Sequence, residues 1–388
     1  MECLIFLSFG APIGMLGAGW PDARHLFGQS SGALGWAAGA YGIGRLLTAT
    51  SALPILRRWH IRHANGVLGA ALAASGVVVA LTRSFPVLVA AFLAIGLASG
   101  CLDALGNRFQ TVVRSVGSAG LMFGSFGVGA TLGPVLVAVA GWTPAYLVAA
   151  SVAAVAATSA SRRTVAWPEA LQTAEPPHGD HSRLQVPRWV VLLSLSLFAI
   201  YCGIEVTTGN WGATYLEGHR GVSESTAAWA MSGFWAGMTF GRLGLGLVSG
   251  PGRPLSPRRV LVLSGVLATA VYVAIPLVPV PVAIGLFGVA GISLAAMFPT
   301  LISTTADRVG VAATGRVMGW SLLSANLFEL VLSALVGIAV NRAGTGASAV
   351  ILATLSVVGL PLLVKSTSLH AGDATDPLAS TAAPASTC

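Results

Sequence analysis

The stretch Gly39-Ala-Tyr-Gly-Ile-Gly-Arg45-Leu46 recurs later in the chain as Ala236-Gly-Met-Thr-Phe-Gly-Arg242-Leu243. The two copies are separated by about half of the 388 residues. Each is apolar apart from its arginine, and each helix carries glycines one helical turn apart, which let membrane helices approach closely. These glycines are Gly35 and Gly39 in the first copy and Gly233, Gly237 and Gly241 in the second. The recurrence predicts a duplicated architecture.

The composition around these stretches excludes a soluble protein. Of all residues 55% are hydrophobic and only 9% are charged, and the mean hydropathy is +0.80. A soluble domain carries roughly 25% charged residues, so most of this surface must face lipid. The 48 glycines are also typical of membrane helices. The sequence therefore predicts an all-α membrane protein.

Apolar windows long enough to span a bilayer, about 20 residues each, occur twelve times. The predicted spans 1 to 12 cover residues 3–20, 33–56, 65–82, 85–107, 119–140, 143–160, 189–212, 226–249, 259–279, 281–303, 315–340 and 346–365. The first window lacks a basic flank and leads directly into further spans, so we interpret it as a helix of the mature protein rather than a cleaved signal.

Two polar segments divide the chain. Residues 161–188 contain several charged residues and prolines with little apolar sequence, which indicates a central linker, and residues 367–388 have the composition of a disordered tail. We predict an N-terminal six-helix bundle at 1–160 and a C-terminal six-helix bundle at 189–366.

The distribution of Lys and Arg predicts the orientation, because cytoplasmic loops carry the excess of these residues. Four arginines would lie outside, namely Arg24, Arg83, Arg220 and Arg342, and Arg45 and Arg242 lie within spans. The fifteen others would be cytoplasmic if the N-terminus is inside: Arg57, Arg58, Arg62, Arg108, Arg114, Arg162, Arg163, Arg183, Arg188, Arg253, Arg258, Arg259, Arg308, Arg316 and Lys365. This bias predicts an inner-membrane protein with both termini in the cytoplasm, and it accounts for the net charge of +8 without a nucleic-acid partner.

Five segments carry a resemblance to a known family. They are Gly17-Ala-Gly-Trp-Pro-Asp22, Gly96-Leu-Ala-Ser-Gly-Cys-Leu-Asp103-Ala-Leu-Gly-Asn107, Gly127-Val-Gly-Ala-Thr-Leu-Gly-Pro134, Tyr201-Cys-Gly-Ile-Glu205 with Asn210-Trp211, and Gly291-Ile-Ser-Leu-Ala-Ala-Met-Phe-Pro299-Thr300. With twelve spans in two halves, this set resembles the major facilitator superfamily, and in particular the branch of the fucose–proton symporter. The resemblance covers about residues 3–365.

The resemblance implies alternating-access transport of a small polar solute such as a sugar, coupled to protons. Acids in spans 1 and 4 of that branch handle proton and sugar, which implies proton-coupling roles for Asp22 and Asp103. The sequence departs from the pattern at two places. The loop between spans 2 and 3, Pro54 to His60, lacks its acid, and Phe123 stands where many relatives have a histidine.

Acids inside spans are functional candidates, because insertion of an ionisable group costs roughly 2.5–3.5 kcal/mol. Asp103, with Asn107 one turn on, could exchange protons and bind hydroxyls, or could pair structurally with Arg45, Arg108 or Arg242. Further predicted substrate-binding residues are Tyr201, Glu205, Asn210 and Trp211 in span 7 and Asn326 and Glu329 in span 11. Glu205 could instead be satisfied by Thr207 or Thr208, Glu329 by a partner across the half interface, and Asp22 could merely cap a helix.

Arg45 and Arg242 are interpreted as gate or scaffold residues rather than substrate ligands, since snorkelling or pairing with carboxylates explains both. Pro134 and Pro299 are expected to bend helices, because proline breaks the helical hydrogen-bond ladder. The four cysteines have no paired or metal-type spacing, and we predict no metal, no cofactor and a monomer.

Three classes of function were compared on these residues. A permease for a polar solute is favoured, and a proton-antiporting exporter of drugs or secondary metabolites is the alternative, since exporters carry a comparable glycine- and proline-containing span 5. A membrane enzyme or sensor would need a catalytic cluster at one face, and the sequence offers none. It also lacks the phosphate-binding lysine motif of ATP-driven transport.

Overall fold

The computed structural model describes residues 1–48, 51–113, 116–162, 167, 171, 186–248 and 256–369. These residues form helices and connectors, with no strand among them. The helices are α1 Glu2–Leu26, α2 Leu34–Thr48, α3 Ala52–Arg58, α4 Ile61–Leu81, α5 Phe85–Val113, α6 Val116–Ala140, α7 Trp142–Ser161, α8 Arg188–Arg220, α9 Glu224–Val248, α10 Pro257–Ala274, α11 Val280–Ala295, α12 Met297–Ser303, α13 Thr305–Val309, α14 Val311–Ala343 and α15 Ala347–Ser366, with a 3₁₀ turn at Ser31–Ala33.

Ten segments are long and apolar enough to cross a membrane: α1, α4, α5, α6, α7, α8, α10, α11 with α12, α14 and α15. The two remaining predicted spans correspond to α2 with α3 and to α9, the helices that carry Arg45 and Arg242. The predicted fold class, an all-α membrane protein of about twelve spans in two related halves, is confirmed.

The two halves pack in the same pattern. In the first half α1 packs on α6, α2 on α5 and α4 on α7; in the second half α8 packs on α14, α9 on α11 and α10 on α15. Each pairing in the first half thus recurs between the corresponding spans of the second, as the repeat predicted. The predicted linker and tail lie almost entirely outside the described residues, and the domain boundaries stay predictions.

Two predicted spans are interrupted in the structure. Span 10 divides into α11 and α12 at Ala296, three residues before Pro299, whose ring nitrogen cannot donate to the carbonyl of Ala295. In span 2, α2 is described as far as Thr48 and a second helix, α3, begins at Ala52 after the non-helical Ser51. Pro54 lies in the first turn of α3, where a missing N–H removes no helical bond. Pro134, by contrast, lies inside the continuous helix α6.

Among the described residues the halves meet chiefly along three seams. We refer to the end of the molecule where α1 begins as the N-terminal face. In the first seam the Gly32 N–H donates to Oδ1 of Asn341 at 3.1 Å. Further along this seam the helices are close together: a β-carbon placed on Gly42 would lie only 3.9 Å from the Cα of Leu330. This seam joins α2 to α14, and its contact at Gly42 lies about one turn before Arg45 on α2.

The second seam joins α6 to α9. The Ser225 hydroxyl donates to the Ala138 carbonyl at 3.1 Å, and the Ser232 hydroxyl donates to the Thr131 carbonyl at 3.0 Å. In the third seam, between α1 and α8, Nη2 of Arg24 lies 3.0 Å from Oε1 of Glu217. These contacts all lie on the side away from the N-terminal face.

Toward the N-terminal face the same helices carry large apolar side chains that are exposed. Leu47 of α2 is 68% exposed and Phe240 of α9 is 69% exposed, while Leu323 of α14 is 52% exposed. The contacts named above thus lie toward the opposite face. On the N-terminal side Arg45 and Arg242 stay partly exposed between the halves, and we call this partly exposed region the cleft. We call the N-terminal side the open end of the molecule.

Candidate functional site

An arginine–carboxylate pair lies in the first half, between α2 and α5. Nη2 of Arg45 lies 3.1 Å from Oδ2 of Asp103, and Nη1 of Arg45 donates to the hydroxyl of Tyr41 at 3.3 Å. The Nδ2 amide of Asn107 donates to the second carboxylate oxygen, Oδ1, at 3.3 Å. Asp103 is thus held by a cation and an amide. The arginine and acid side chains are each 27% exposed, so the pair is not fully buried.

The second half carries the counterpart of this pair, built from different helices. Nη2 of Arg242 on α9 lies 3.6 Å from Oε1 of Glu205 on α8 and donates to the Tyr201 hydroxyl at 3.2 Å. The repeat places Met238 where the first half has Tyr41, and the Tyr201 hydroxyl lies 3.9 Å from its sulfur. A tyrosine from α8 therefore supplies the oxygen that Tyr41 supplies in the first half.

Glu329 of α14 lies within electrostatic range of both groups, acting on Arg45 from the first half and on Glu205 from the second. It forms no ion pair within 4.0 Å among the described residues, unlike Asp103 and Glu205. The Cys202 thiol is in range of Glu329 and of Arg45 as well. Five charged side chains from both halves therefore surround one central region, which we call the central cluster: Arg45, Asp103, Glu205, Arg242 and Glu329.

The structure places the other sequence-predicted residues apart from this cluster. Asp22 lies near the opposite face, where a Cβ on Gly141 would be 3.9 Å from its Oδ2. Asn210 and Trp211 are 8% and 0% exposed, and Trp211 packs between α2 and α14 at Gly35 and Gly337. Both lie in the seams rather than in the cleft. Their predicted contact with substrate is untested, as is that of Asn326, one turn from Glu329.

Two predicted scaffold prolines occupy different environments. Pro134 lies against α1, where a Cβ on Gly14 would be 2.9 Å from its Cδ, so it contributes to helix packing. Pro299 is exposed and follows the break between α11 and α12. Phe298 beside it stacks on the Tyr201 ring, with centroids 5.6 Å apart. This stacking orients the hydroxyl that accepts from Arg242.

Sequence reasoning missed three features of the site. Tyr41 was not singled out, although its position one turn before Arg45 in the repeat was a usable signal. Cys202 gave no signal of its proximity to the acids. The Arg24–Glu217 pair on the opposite face was also missed, because both residues lie just beyond predicted span ends and the two are 193 positions apart.

Comparison with known proteins gives a consistent picture of the fold. No model of a known protein family matches the sequence. The chain is 28% identical over 254 residues to an uncharacterized MFS-type transporter of Yersinia pestis, a match covering 63% of this chain and 65% of that protein. It is 40% identical over 60 residues to bypass of stop codon protein 6 of Saccharomyces cerevisiae, covering 16% of this chain and 12% of that protein. The chain thus matches less than two thirds of the length of either curated relative.

Solved structures of transporters are similar over nearly the whole chain. A bacterial homolog of the human lysosomal transporter Spinster, in an inward-facing and occupied conformation, superposes with a TM-score of 0.72 at 16% identity, covering 97% of both chains. The nucleoside transporter NupG superposes with a TM-score of 0.74 at 14% identity, covering 94% and 98%. The peptide transporter POT gives 0.73 at 13% identity, covering 94% and 92%. Together with ten apolar spans, these matches establish that the chain is an integral membrane protein with the fold of major facilitator transporters.

Proposed function

We propose that the chain is a secondary transporter that moves a small polar solute, such as a sugar, by alternating access, and that protons drive it. The observation that carries this proposal is the central cluster. Its two arginine–carboxylate pairs come one from each half, and Glu329 lies within electrostatic range of Arg45 and of Glu205. A membrane protein without a task for these charges would lose stability by burying them.

The chemistry of the cleft favours a solute rich in hydroxyl groups. The exposed amide of Asn107 offers both a donor and an acceptor, and the Arg242 and Glu205 side chains offer one of each. The partly exposed ring of Phe298, stacked on the buried Tyr201, lies beside them. Carboxylates, guanidinium groups and an aromatic ring together match the alternating polar and apolar faces of a sugar ring.

Proton coupling is assigned to Asp103 in this proposal. Protonation would neutralise the carboxylate and weaken its bond to Arg45, so the state of the pair would depend on the pH of the solution that reaches it. Asp22, the second expected acid, lies near the opposite face and could exchange protons there. We further propose that the open N-terminal face is cytoplasmic, in keeping with the excess of arginines predicted on that side.

An exporter of apolar compounds is the second candidate, and one observation favours it. The open end is flanked by exposed apolar side chains, including Phe240 at 69% and Leu121 at 68%. If these line the path of the substrate rather than face lipid, an apolar compound would bind among them. The polar character of the central cluster argues for the polar solute, since an apolar ligand would desolvate five charges without replacing their hydrogen bonds.

Ligand binding to the purified protein distinguishes the two candidates. A panel of monosaccharides, nucleosides and dipeptides and a panel of apolar drugs would each be tested for an increase in melting temperature, since a ligand that binds the folded state stabilises it. We expect a polar compound to stabilise the wild type and to lose this effect in Glu205→Gln. Stabilisation by apolar drugs alone, unchanged in that variant, would reject the permease. Counterflow of the selected compound in proteoliposomes then tests transport itself.

A further inference from the structure

The proposed function leaves open how protonation of one acid closes a cleft between two halves. Resting on that function, we infer that Glu329 is the second partner of Arg45. When Asp103 takes up a proton, Arg45 leaves it and pairs with Glu329 of the other half, and this contact draws the open end shut. Glu329 is thus a positioning residue that couples a protonation in one half to the arrangement of both.

The first support for this inference is that the central cluster contains more acids than arginines. Three acids share two arginines, and each arginine has one carboxylate partner within 3.6 Å or less. Glu329 is the acid left over. An unpaired carboxylate at the middle of a spanning helix is costly in lipid, so a cation that approached it would stabilise the protein. Arg45 is the cation of the other half already within electrostatic range.

The position of the two side chains at the α2–α14 seam is the second support. A Cβ on Gly42 would lie 3.7 Å from the Leu330 Cδ1. Arg45 is one helical turn further along α2 from this contact, and Glu329 immediately precedes Leu330. The two side chains therefore lie within about one helical turn of this contact between the halves. Extending the seam by one turn would bring them together.

The groups that surround both acids define the direction of the switch. Arg45 and Tyr41 from α2 act on Asp103, with the Asn107 amide on its own helix. Arg45 from α2 and Glu205 from α8 act on Glu329, beside the Cys202 thiol. While Asp103 is charged, it retains Arg45 in the first half. Once Asp103 is neutral, Glu329 is the carboxylate of the central cluster that can pair with Arg45 in its place, because Glu205 is already paired with Arg242.

Distances between spin labels across the open end test this switch without any knowledge of the solute. Labels at Leu47 of α2 and Leu323 of α14, both exposed, would be introduced after replacement of the native cysteines. We expect the wild type to shift toward the shorter distance when the pH is lowered. Asp103→Asn mimics the protonated acid and should show the short distance even at alkaline pH. Glu329→Gln should keep the long distance at every pH.

The double variant provides the sharpest outcome. Because the switch requires Glu329 as the receiving partner, Asp103→Asn with Glu329→Gln should return to the long distance, whereas Glu329→Asp should retain the wild-type response. Glu224→Gln, at an exposed glutamate of α9, is the matched control and should leave the distances unchanged. All variants would be compared only as monodisperse protein, and Glu329→Asp shows whether position 329 tolerates change.

Three results would overturn the inference: no effect of Asp103→Asn, an unchanged pH response in Glu329→Gln, or a double variant that stays closed. None of these depends on transport. If the distances respond as expected while no solute is moved by a pH gradient, the switch stands and the proposed function fails. If gradient-driven transport is intact and Glu329→Gln has no effect, the function stands and the switch fails.

Discussion

Nη2 of Arg45 donates to Oδ2 of Asp103 at 3.1 Å, although 58 positions separate the two residues in the sequence. The arginine belongs to the internal repeat, and the acid belongs to a helix that packs against it. Its repeat counterpart, Arg242, also has an acid, but takes it from α8 rather than from α11, on which α9 packs. The duplicated halves thus preserve a charge pair while changing the helix that supplies the carboxylate.

Removal of the arginine from this pair should destabilise the protein. Arg45→Gln would leave Asp103 without its cation, at a cost of roughly 1–3 kcal/mol, which is below the value for a fully buried pair because about a quarter of each side chain is exposed. Thermal unfolding in detergent would measure the loss. Arg83→Gln, at an exposed arginine bonded only to a neighbouring carbonyl, should have little effect.

A double-mutant cycle separates the pair from other effects of the substitution. Arg45→Gln combined with Asp103→Asn should be less destabilised than the sum of the single variants, since no uncompensated charge remains. Strict additivity of the two single effects would show that the residues do not interact in solution.

Removal of the Tyr201 hydroxyl should loosen Arg242. This buried side chain accepts a hydrogen bond from the guanidinium at 3.2 Å, and a hydrogen bond to a charged group contributes about 1.5–3 kcal/mol. We expect Tyr201→Phe to lower the melting temperature. Tyr146→Phe is the control, because the Tyr146 hydroxyl is equally buried and has no hydrogen-bond partner among the described residues. Equal effects of the two substitutions would contradict this role of Tyr201.

A methyl group at Gly17 should prevent closure of the opposite face. A Cβ there would overlap the backbone of α8 at Gly209 and Asn210, so the α1–α8 seam could not form as it does in this structure. Spin labels at Leu26 and His219, which are exposed at that face, should report a longer or broader distance in Gly17→Ala. Gly124→Ala, at a glycine with open space around it, should leave the distance unchanged. The account of the seam is wrong if the two variants behave alike.

The helices and their duplication could be predicted from the sequence because the physical cause is local. In lipid, each span must be apolar along its own length and must form all its backbone hydrogen bonds within itself. The twelve apolar windows and one repeated stretch were therefore sufficient to predict the helices and their duplication. The division of span 10 at Ala296 was not predicted: the sequence indicated one continuous window with a bend at Pro299, and the same expectation for Pro134 met a continuous helix.

The partners within the site could not be predicted, because they depend on which helices meet. Three arginines were open as partners of Asp103, and only packing of α2 on α5 selects Arg45. For Glu205 the sequence offered the hydroxyls of Thr207 and Thr208 nearby. In the structure the Thr208 hydroxyl instead donates to the Ile204 carbonyl and is hydrogen-bonded to the Tyr272 hydroxyl. The partner of Glu205 is Arg242, which belongs to a separate helix. The spacing of residues along one helix does not show which side chains of other helices they contact.

Proton-driven accumulation in proteoliposomes tests the central claim most directly. With the compound found by ligand stabilisation, wild-type protein should accumulate it above equilibrium only when a pH gradient is imposed. Asp103→Asn should still exchange the compound by counterflow but should lose accumulation. Accumulation by Asp103→Asn at the wild-type level and at every pH would contradict the account.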